Sequence, residues 1–207
     1  MNRKSQLTAM AIAALLFVLL TLLVKADIPP GFDVNTLAFF AGHYSPPGAR
    51  LFQTITWAGS ILFLAPISLL IGYLLYQRKR RAGAMFLIAS LMLAAFAARL
   101  LKYLIGRERP DAYPALVDTY TDLAFPSVHA AQVTAFCLAL FLVLGLRGAG
   151  QRALVGLVFL GLALGVVCSR LYLQVHYPSD VIGGALLAVV CVVGCASLFP
   201  GLNGTRR

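Results

Sequence analysis

Six apolar stretches, each about as long as a bilayer is thick, constrain this chain more than any other feature. They cover residues 7–24, 54–76, 83–104, 130–146, 153–169 and 181–199. A helix crosses the hydrocarbon core with about 20 apolar residues and needs roughly 17 at the least. Several of the six lie near that limit, so their helices should tilt little or sit where the bilayer is thin. Composition agrees, because 60% of residues are hydrophobic, 12% are charged and the mean hydropathy is +0.87. That is too apolar for an ordinary soluble domain. The expected fold is all-α, a six-transmembrane-helix bundle formed by one membrane domain over residues 1–207.

Loop charges set the expected direction. Arg3 and Lys4, the run Arg78-Lys79-Arg80-Arg81, Arg147 and Arg152, and Arg206 and Arg207 fall on one side of a six-span layout. By the positive-inside rule this side is cytoplasmic, with both termini. All seven acidic residues, Asp27, Asp33, Glu108, Asp111, Asp118, Asp122 and Asp180, fall on the other. Tyr73 and Tyr76 before the basic run, and Trp57 near the outer end of the same span, suit membrane interfaces. The first stretch has a longer apolar core than a signal peptide, so we expect an uncleaved span. The net charge of +10 records orientation or anionic ligands, and no nucleic-acid partner is expected. Cys137, Cys168, Cys191 and Cys195 lie within or at the ends of apolar runs without Cys-x-x-Cys spacing and read as packing residues.

The outer loop over residues 25–53 contains "DIPPGFDVNTLAFFAGHYSPPG". Asp33 is expected to cap a short helix over 34–41 that Gly42 ends, and "SPPG" reads as a rigid turn. His43 reads as a solvated loop residue.

Three outer segments are unusually polar for their positions: "KYLIGRERP" from Lys102, "PSVH" from Pro126, and "SRLYLQVHYPSD" from Ser169. Lys102, Arg109 and Arg170 bring three cations to the leaflet where the positive-inside rule disfavours them. Each alone is explained by snorkelling at a helix end. Together with two histidines and an aspartate they describe a phosphate site, since guanidinium groups match phosphate oxygens bidentately and lysine adds a point charge. Ser127 and the free N–H groups opening the fourth span favour an anion as well. Pro178 suits the first turn of the sixth span. His176 then precedes that helix, and Asp180 can reach back to the imidazole, fix its tautomer and leave the other nitrogen free to attack.

In these residues the chain resembles the type-2 phosphatidic acid phosphatase superfamily, membrane lipid phosphatases related to soluble acid phosphatases and vanadium haloperoxidases. The family signature is Lys-x6-Arg-Pro, then Pro-Ser-Gly-His, then Ser-Arg-x5-His-x3-Asp. Lys102, Arg109 and Pro110, then Pro126, Ser127 and His129, then Ser169, Arg170, His176 and Asp180 match it in order and spacing. The resemblance implies that His176 is a nucleophile forming a phosphohistidine, oriented by Asp180, with His129 as general acid and then base. It implies phosphate binding by Lys102, Arg109, Ser127, the backbone at Val128 and Arg170, with no metal and no cofactor. Asp111, Asp118 and Asp122 read as solvated. Val128 departs from the family, whose residue there is glycine, and adds bulk beside the phosphate.

The expected activity is hydrolysis of phosphate monoesters or diphosphates of membrane lipids at the outward face of a bacterial-type inner (plasma) membrane. Phosphatidic acid, phosphatidylglycerol phosphate, undecaprenyl diphosphate and a lipid A phosphate all suit the site. Two alternatives are a lipid phosphotransferase using the same residues and a non-catalytic lipid-binding or transport protein. The last predicts polar groups near mid-membrane, where the spans are nearly devoid of them.

Overall fold

The computed structural model describes residues 3–26, 28, 31–199 and 202. Its helices are α1 (Arg3–Lys25), α2 (Gly31–Gly42), α3 (Pro46–Thr56), α4 (Ile61–Gln77), α5 (Arg81–Ile105), α6 (Val128–Leu144), α7 (Ala149–Tyr172) and α8 (Pro178–Ser197). The described residues contain no strand, only an isolated antiparallel bridge between Glu108 and Leu123. Asp27, Arg206 and Arg207, used in the charge argument, lie outside the described residues, as does the side chain of Arg3.

The chain is an all-helical, multi-pass membrane protein. Helices α1, α5, α7 and α8 are long and apolar enough to cross a bilayer, and α3 with α4 makes a fifth span if the bent pair counts as one. The sixth expected span falls on α6, whose 17 residues rise only about 25 Å. Large apolar side chains such as Leu15, Leu70, Phe96 and Leu157 are exposed on the outer surfaces of these helices, as suits a chain solvated by lipid. Trp57, Tyr73 and Tyr76 are exposed too.

The expected continuous span over 54–76 is broken. A 3₁₀ turn occupies Trp57–Gly59, and the two helices meet at 45°. Ser60 causes the restart: its backbone is extended and its hydroxyl accepts from Leu62 N–H at 3.3 Å, capping α4. Gly59 lets two other helices close in, for a Cβ there would stand 2.5 Å from Val166 Cγ1 and 3.3 Å from the His129 side chain. "SPPG" is likewise not a free turn but a helix start. Ser45 Oγ accepts from Gly48 N–H at 3.2 Å, and Pro46 and Pro47 supply the preset φ of the first turn of α3.

Helices α6 and α8 form the centre. Ala131, Ala135 and Ala139 recur every fourth residue on α6, and Gly184, Ala188 and Val192 do so on α8, where these alanines and Val192 are buried. Without a hydrophobic force between helices in lipid, such small faces gain by close backbone approach and dispersion. The approach is closest at Gly184, where a Cβ would collide with the Ser127 carbonyl oxygen, and at Gly183, where it would stand 2.5 Å from the Phe125 ring. Helix α1 packs along α8, and Phe17 stacks on Phe125 with centroids 5.8 Å apart. Away from the site end of the bundle, the buried polar side chains among the described residues are Ser68, Ser90 and Gln132.

Candidate active site

One end of the bundle gathers the C-terminal ends of α5 and α7, the N-terminal ends of α6 and α8, and the segments joining them. The basic run Arg78–Arg81, Arg147 and Arg152 lie at the opposite end. Among the described residues, the buried acidic and basic side chains are Asp33, Lys102, Arg170, His176 and Asp180. All five lie at this one end.

Helix α5 delivers Lys102 in its last turn and then stops at Gly106, whose φ of 75° closes the helix with an N–H bond to Lys102 O. The Lys102 ammonium donates to Leu123 O at 2.9 Å and Ala124 O at 2.8 Å. It thereby pins the chain just before Ser127. The segment after Gly106 folds back on itself through Arg109 N–H to Asp122 O and Ala124 N–H to Arg107 O. This carries Arg109 inward, where Nε donates to Thr121 O at 2.8 Å and Nη1 donates to Val175 O.

Ser127 occupies the N-cap position of α6 but makes no capping bond. Its N–H donates to Asp180 O at 3.0 Å, and its fully buried Oγ has no hydrogen-bond partner in the protein. That bond ties the Ser127 N–H to α8, so the free donors at this helix start begin at Val128. Val128 is the first residue of α6 with ordinary helical backbone, and positive φ among non-glycine residues is confined to Lys79 and Gln174 among the described residues. No glycine conformation is required at 128, and its N–H belongs to the free first-turn donors. His129 follows, half-buried against the break at Gly59.

Helix α7 brings Arg170, 5% exposed, with Nη1 donating to Thr56 Oγ1 at 2.7 Å and Nε unpartnered. Gln174, at φ 59°, turns the chain back and donates from Nε2 to Leu37 O at 3.1 Å. That left-handed residue costs about 1 kcal/mol. The turn presents His176, 2% exposed, with Nδ1 3.4 Å from Asp180 Oδ2 and Nε2 3.5 Å from Arg109 Nη1. Burial, and then the charges of Arg170, Arg109 and Lys102, hold the His176 imidazole well below its ordinary titration range. The ring is neutral, and an arginine N–H facing Nε2 suits the tautomer with its proton on Nδ1, toward Asp180.

The geometry thus brings together Lys102, Arg109, Ser127, Arg170, His176 and Asp180, and His129 lies in the first turn of α6, two residues after Ser127. Sequence reasoning passed over Arg107, Ser179 and Thr56, and misread Asp33. Helix α2 begins at Gly31, not residue 34, and Asp33 lies inside its first turn, fully buried. Its carboxylate accepts from Ser179 N–H at 2.9 Å, Ser179 Oγ at 2.5 Å and Arg107 Nη2 at 3.0 Å. The sequence signals for it are weak, one arginine among several and one aspartate in an apolar loop, 74 residues apart. Asp111, Asp118 and Asp122 are exposed, as is His43, whose Nδ1 lies 2.7 Å from Phe39 O. The four cysteines are free. Among the described residues, no three His, Cys, Asp or Glu side chains gather as a metal site would need.

The family model described as PAP2 superfamily matches residues 83–203, more than half of the chain. The chain belongs to the PAP2 superfamily. The match holds α5 from its third residue, all of α6 to α8, and every residue of the signature. It is 40% identical over 129 residues to a decaprenylphosphoryl-5-phosphoribose phosphatase of Mycobacterium tuberculosis, an alignment covering 58% of this chain and 64% of that protein. The chain thus spans less than two thirds of that relative's length. It is 33% identical over 147 residues to phosphatidylglycerophosphatase B of Bacillus subtilis, covering 66% and 68% of the two. The crystal structure of a transmembrane PAP2-type phosphatidylglycerolphosphate phosphatase from Bacillus subtilis superposes with a TM-score of 0.79 at 24% identity, covering 95% and 98% of the two chains. At that identity the likeness is one of PAP2 fold.

Proposed function

We propose that this chain is a lipid phosphate phosphatase working through a phosphohistidine. The observation that carries the proposal is the buried, neutral His176, with Nδ1 beside Asp180 and Nε2 beside Arg109, among Lys102, Arg170 and the unpartnered Ser127 hydroxyl. A buried excess of positive charge beside a neutral nucleophile suits a dianionic phosphate monoester. Nε2 attacks phosphorus as the bond to the lipid oxygen breaks, and His129 gives that oxygen a proton. His129 then takes a proton from water, whose oxygen attacks phosphorus and returns Nε2 its electron pair, releasing inorganic phosphate. Lys102, Arg109, Arg170, Ser127 and the first-turn N–H groups from Val128 onward stabilise the phosphoryl oxygens. No step calls for a metal or cofactor.

On the same reading residues 1–207 form one six-span membrane domain with both termini cytoplasmic and the site outward, supported by the basic clusters at the far end of the bundle. The clustering of buried charge at one end, rather than at mid-membrane, argues against a transporter. Candidate substrates are phosphatidic acid, phosphatidylglycerol phosphate, undecaprenyl diphosphate, a lipid A phosphate and a polyprenyl phosphosugar phosphate like that of the mycobacterial relative. The test is phosphate release from this panel by purified protein, beside His176→Ala and His129→Ala. Unchanged release by both variants would sink the mechanism.

A further inference from the structure

Behind the signature residues, Asp33, Arg107 and Ser179 have no place in the mechanism above. Asp33 and Asp180 are both fully buried, and one guanidinium lies between them. Arg107 donates from Nη1 to Asp180 Oδ1 at 2.6 Å and to Ser179 Oγ at 2.6 Å, and from Nη2 to Asp33 Oδ2 at 3.0 Å. Its guanidinium carbon stands 4.2 Å above the centre of the Tyr177 ring. Asp180 Oδ2, the oxygen left over, accepts Tyr177 N–H at 2.8 Å and faces His176 Nδ1.

We propose that Arg107, held by Asp33, is a positioning residue that keeps Asp180 ionised and turned so that His176 carries its proton on Nδ1. This rests on the phosphatase reading. A carboxylate removed from water is costly unless a cation and hydrogen bonds compensate. Arg107 is the cation in direct contact with Asp180. The other groups that face Asp180 are Lys102 from α5, Arg109 from the following segment, Asp33 from α2, and His176 and Tyr177 ahead of α8. Lys102 and Arg109 spend hydrogen bonds on backbone carbonyls and are placed for phosphate, whereas Arg107 spends its own on the two carboxylates and Ser179. Without it, Asp180 takes up a proton and donates to Nδ1. The imidazole proton then moves to Nε2, which can no longer attack. Asp33 acts in the opposite sense, because its negative charge competes for the same guanidinium.

The test combines kinetics on a lipid phosphate with ¹⁵N NMR of histidine-labelled, detergent-solubilised protein, whose three histidines are assigned by single substitution. Arg107→Gln should lower kcat about 10²-fold with KM within about threefold, since an enzyme histidine in the wrong tautomer loses at least that much. The acid limb of its activity should move up by about one pH unit, and the His176 signal should change from the Nδ1–H to the Nε2–H pattern. Arg107→Lys, which keeps the charge, should recover at least tenfold of the loss. Asp33→Asn should move the acid limb down. If His176 keeps its proton on Nδ1 in Arg107→Gln, or both limbs move the same way, the proposal falls and the cluster is a structural tie. Should Arg107→Gln fail to fold, Arg107→Lys and Asp33→Asn still decide by limb direction and tautomer. A wild-type protein that releases no phosphate counts against the phosphatase reading, while the NMR pattern still judges Arg107.

Discussion

The buried polar end of this bundle has two halves that differ in how far their hydrogen bonds are satisfied. Around Asp33, Arg107, Ser179 and Asp180, both carboxylates accept at least two short bonds, and the guanidinium donates to three groups. Around Ser127 and Arg170, buried atoms go without: Ser127 Oγ and Arg170 Nε have no hydrogen bond within the protein. An unpaired buried donor costs about 1–3 kcal/mol. The first half is internally satisfied, whereas the second leaves donors unmet, as the proposed phosphate site requires.

Substitutions should separate the halves. The largest effect is expected for His176→Ala, with phosphate release down more than about 10⁴-fold, as when an enzyme loses its covalent nucleophile. Next, Ser127→Ala should cost about 10²-fold in kcat, the scale for one donor to a transition-state oxygen, with the unfolding midpoint unchanged or raised, since an unpaired buried hydroxyl is removed. Asp33→Ala should do the reverse in stability, losing about 3 kcal/mol by leaving Arg107 half-paired, as read from thermal unfolding in detergent. If Ser127→Ala melts early, or Asp33→Ala melts like wild type, the division is wrong.

How far this division could be read from sequence depends on chain distance. The open half lies in three short segments, so polarity unusual for a membrane boundary, together with the resemblance to the family signature, pointed to Lys102, Arg109, Ser127, His129, Arg170, His176 and Asp180. The saturated half joins Asp33 on α2 to Arg107 and Ser179, and no local pattern marks a contact over such a separation. Asp33 looked like a helix cap because capping is the common fate of an aspartate ahead of an apolar run. The all-helical class and most helix positions followed from apolar run length. The break before Ser60 did not, because hydropathy continues through it and the cause is a side-chain cap and the close approach of Val166 and His129.

Acid should sharpen the comparison further. His176 titrates well below its ordinary range in the folded chain, so below about pH 6.5, the unfolded value, the unfolded chain binds a proton that the folded chain refuses. Its contribution to stability falls as pH drops below that value and is flat above it. The unfolding free energy of ligand-free wild type should decline by up to about 1.4 kcal/mol per pH unit more steeply than that of His176→Ala. Phosphate binding at the open half should oppose the decline.

Two smaller effects complete the series. Val128→Gly should leave kcat within about threefold, because the site already uses helical backbone at 128, and should lower stability by at most about 1 kcal/mol. EDTA should change activity by less than about twofold. A large loss on chelation would instead assign a metal to the open half.

The contact between Gly184 and the Ser127 carbonyl has a mechanical consequence. Ser127 N–H is bonded to Asp180 O, and the bare backbone of Gly184 leaves no side chain between the two helix ends. The gap between the Ser127 hydroxyl and the His176–Asp180 pair is therefore set by backbone against backbone, not by a flexible rotamer. On the proposed mechanism, a tilt of α6 with lipid thickness or temperature should carry α8 with it, so that the phosphate-binding and nucleophilic parts move as one body. Differences in the bilayer should then alter how often a substrate arrives far more than they alter the reaction once it is seated.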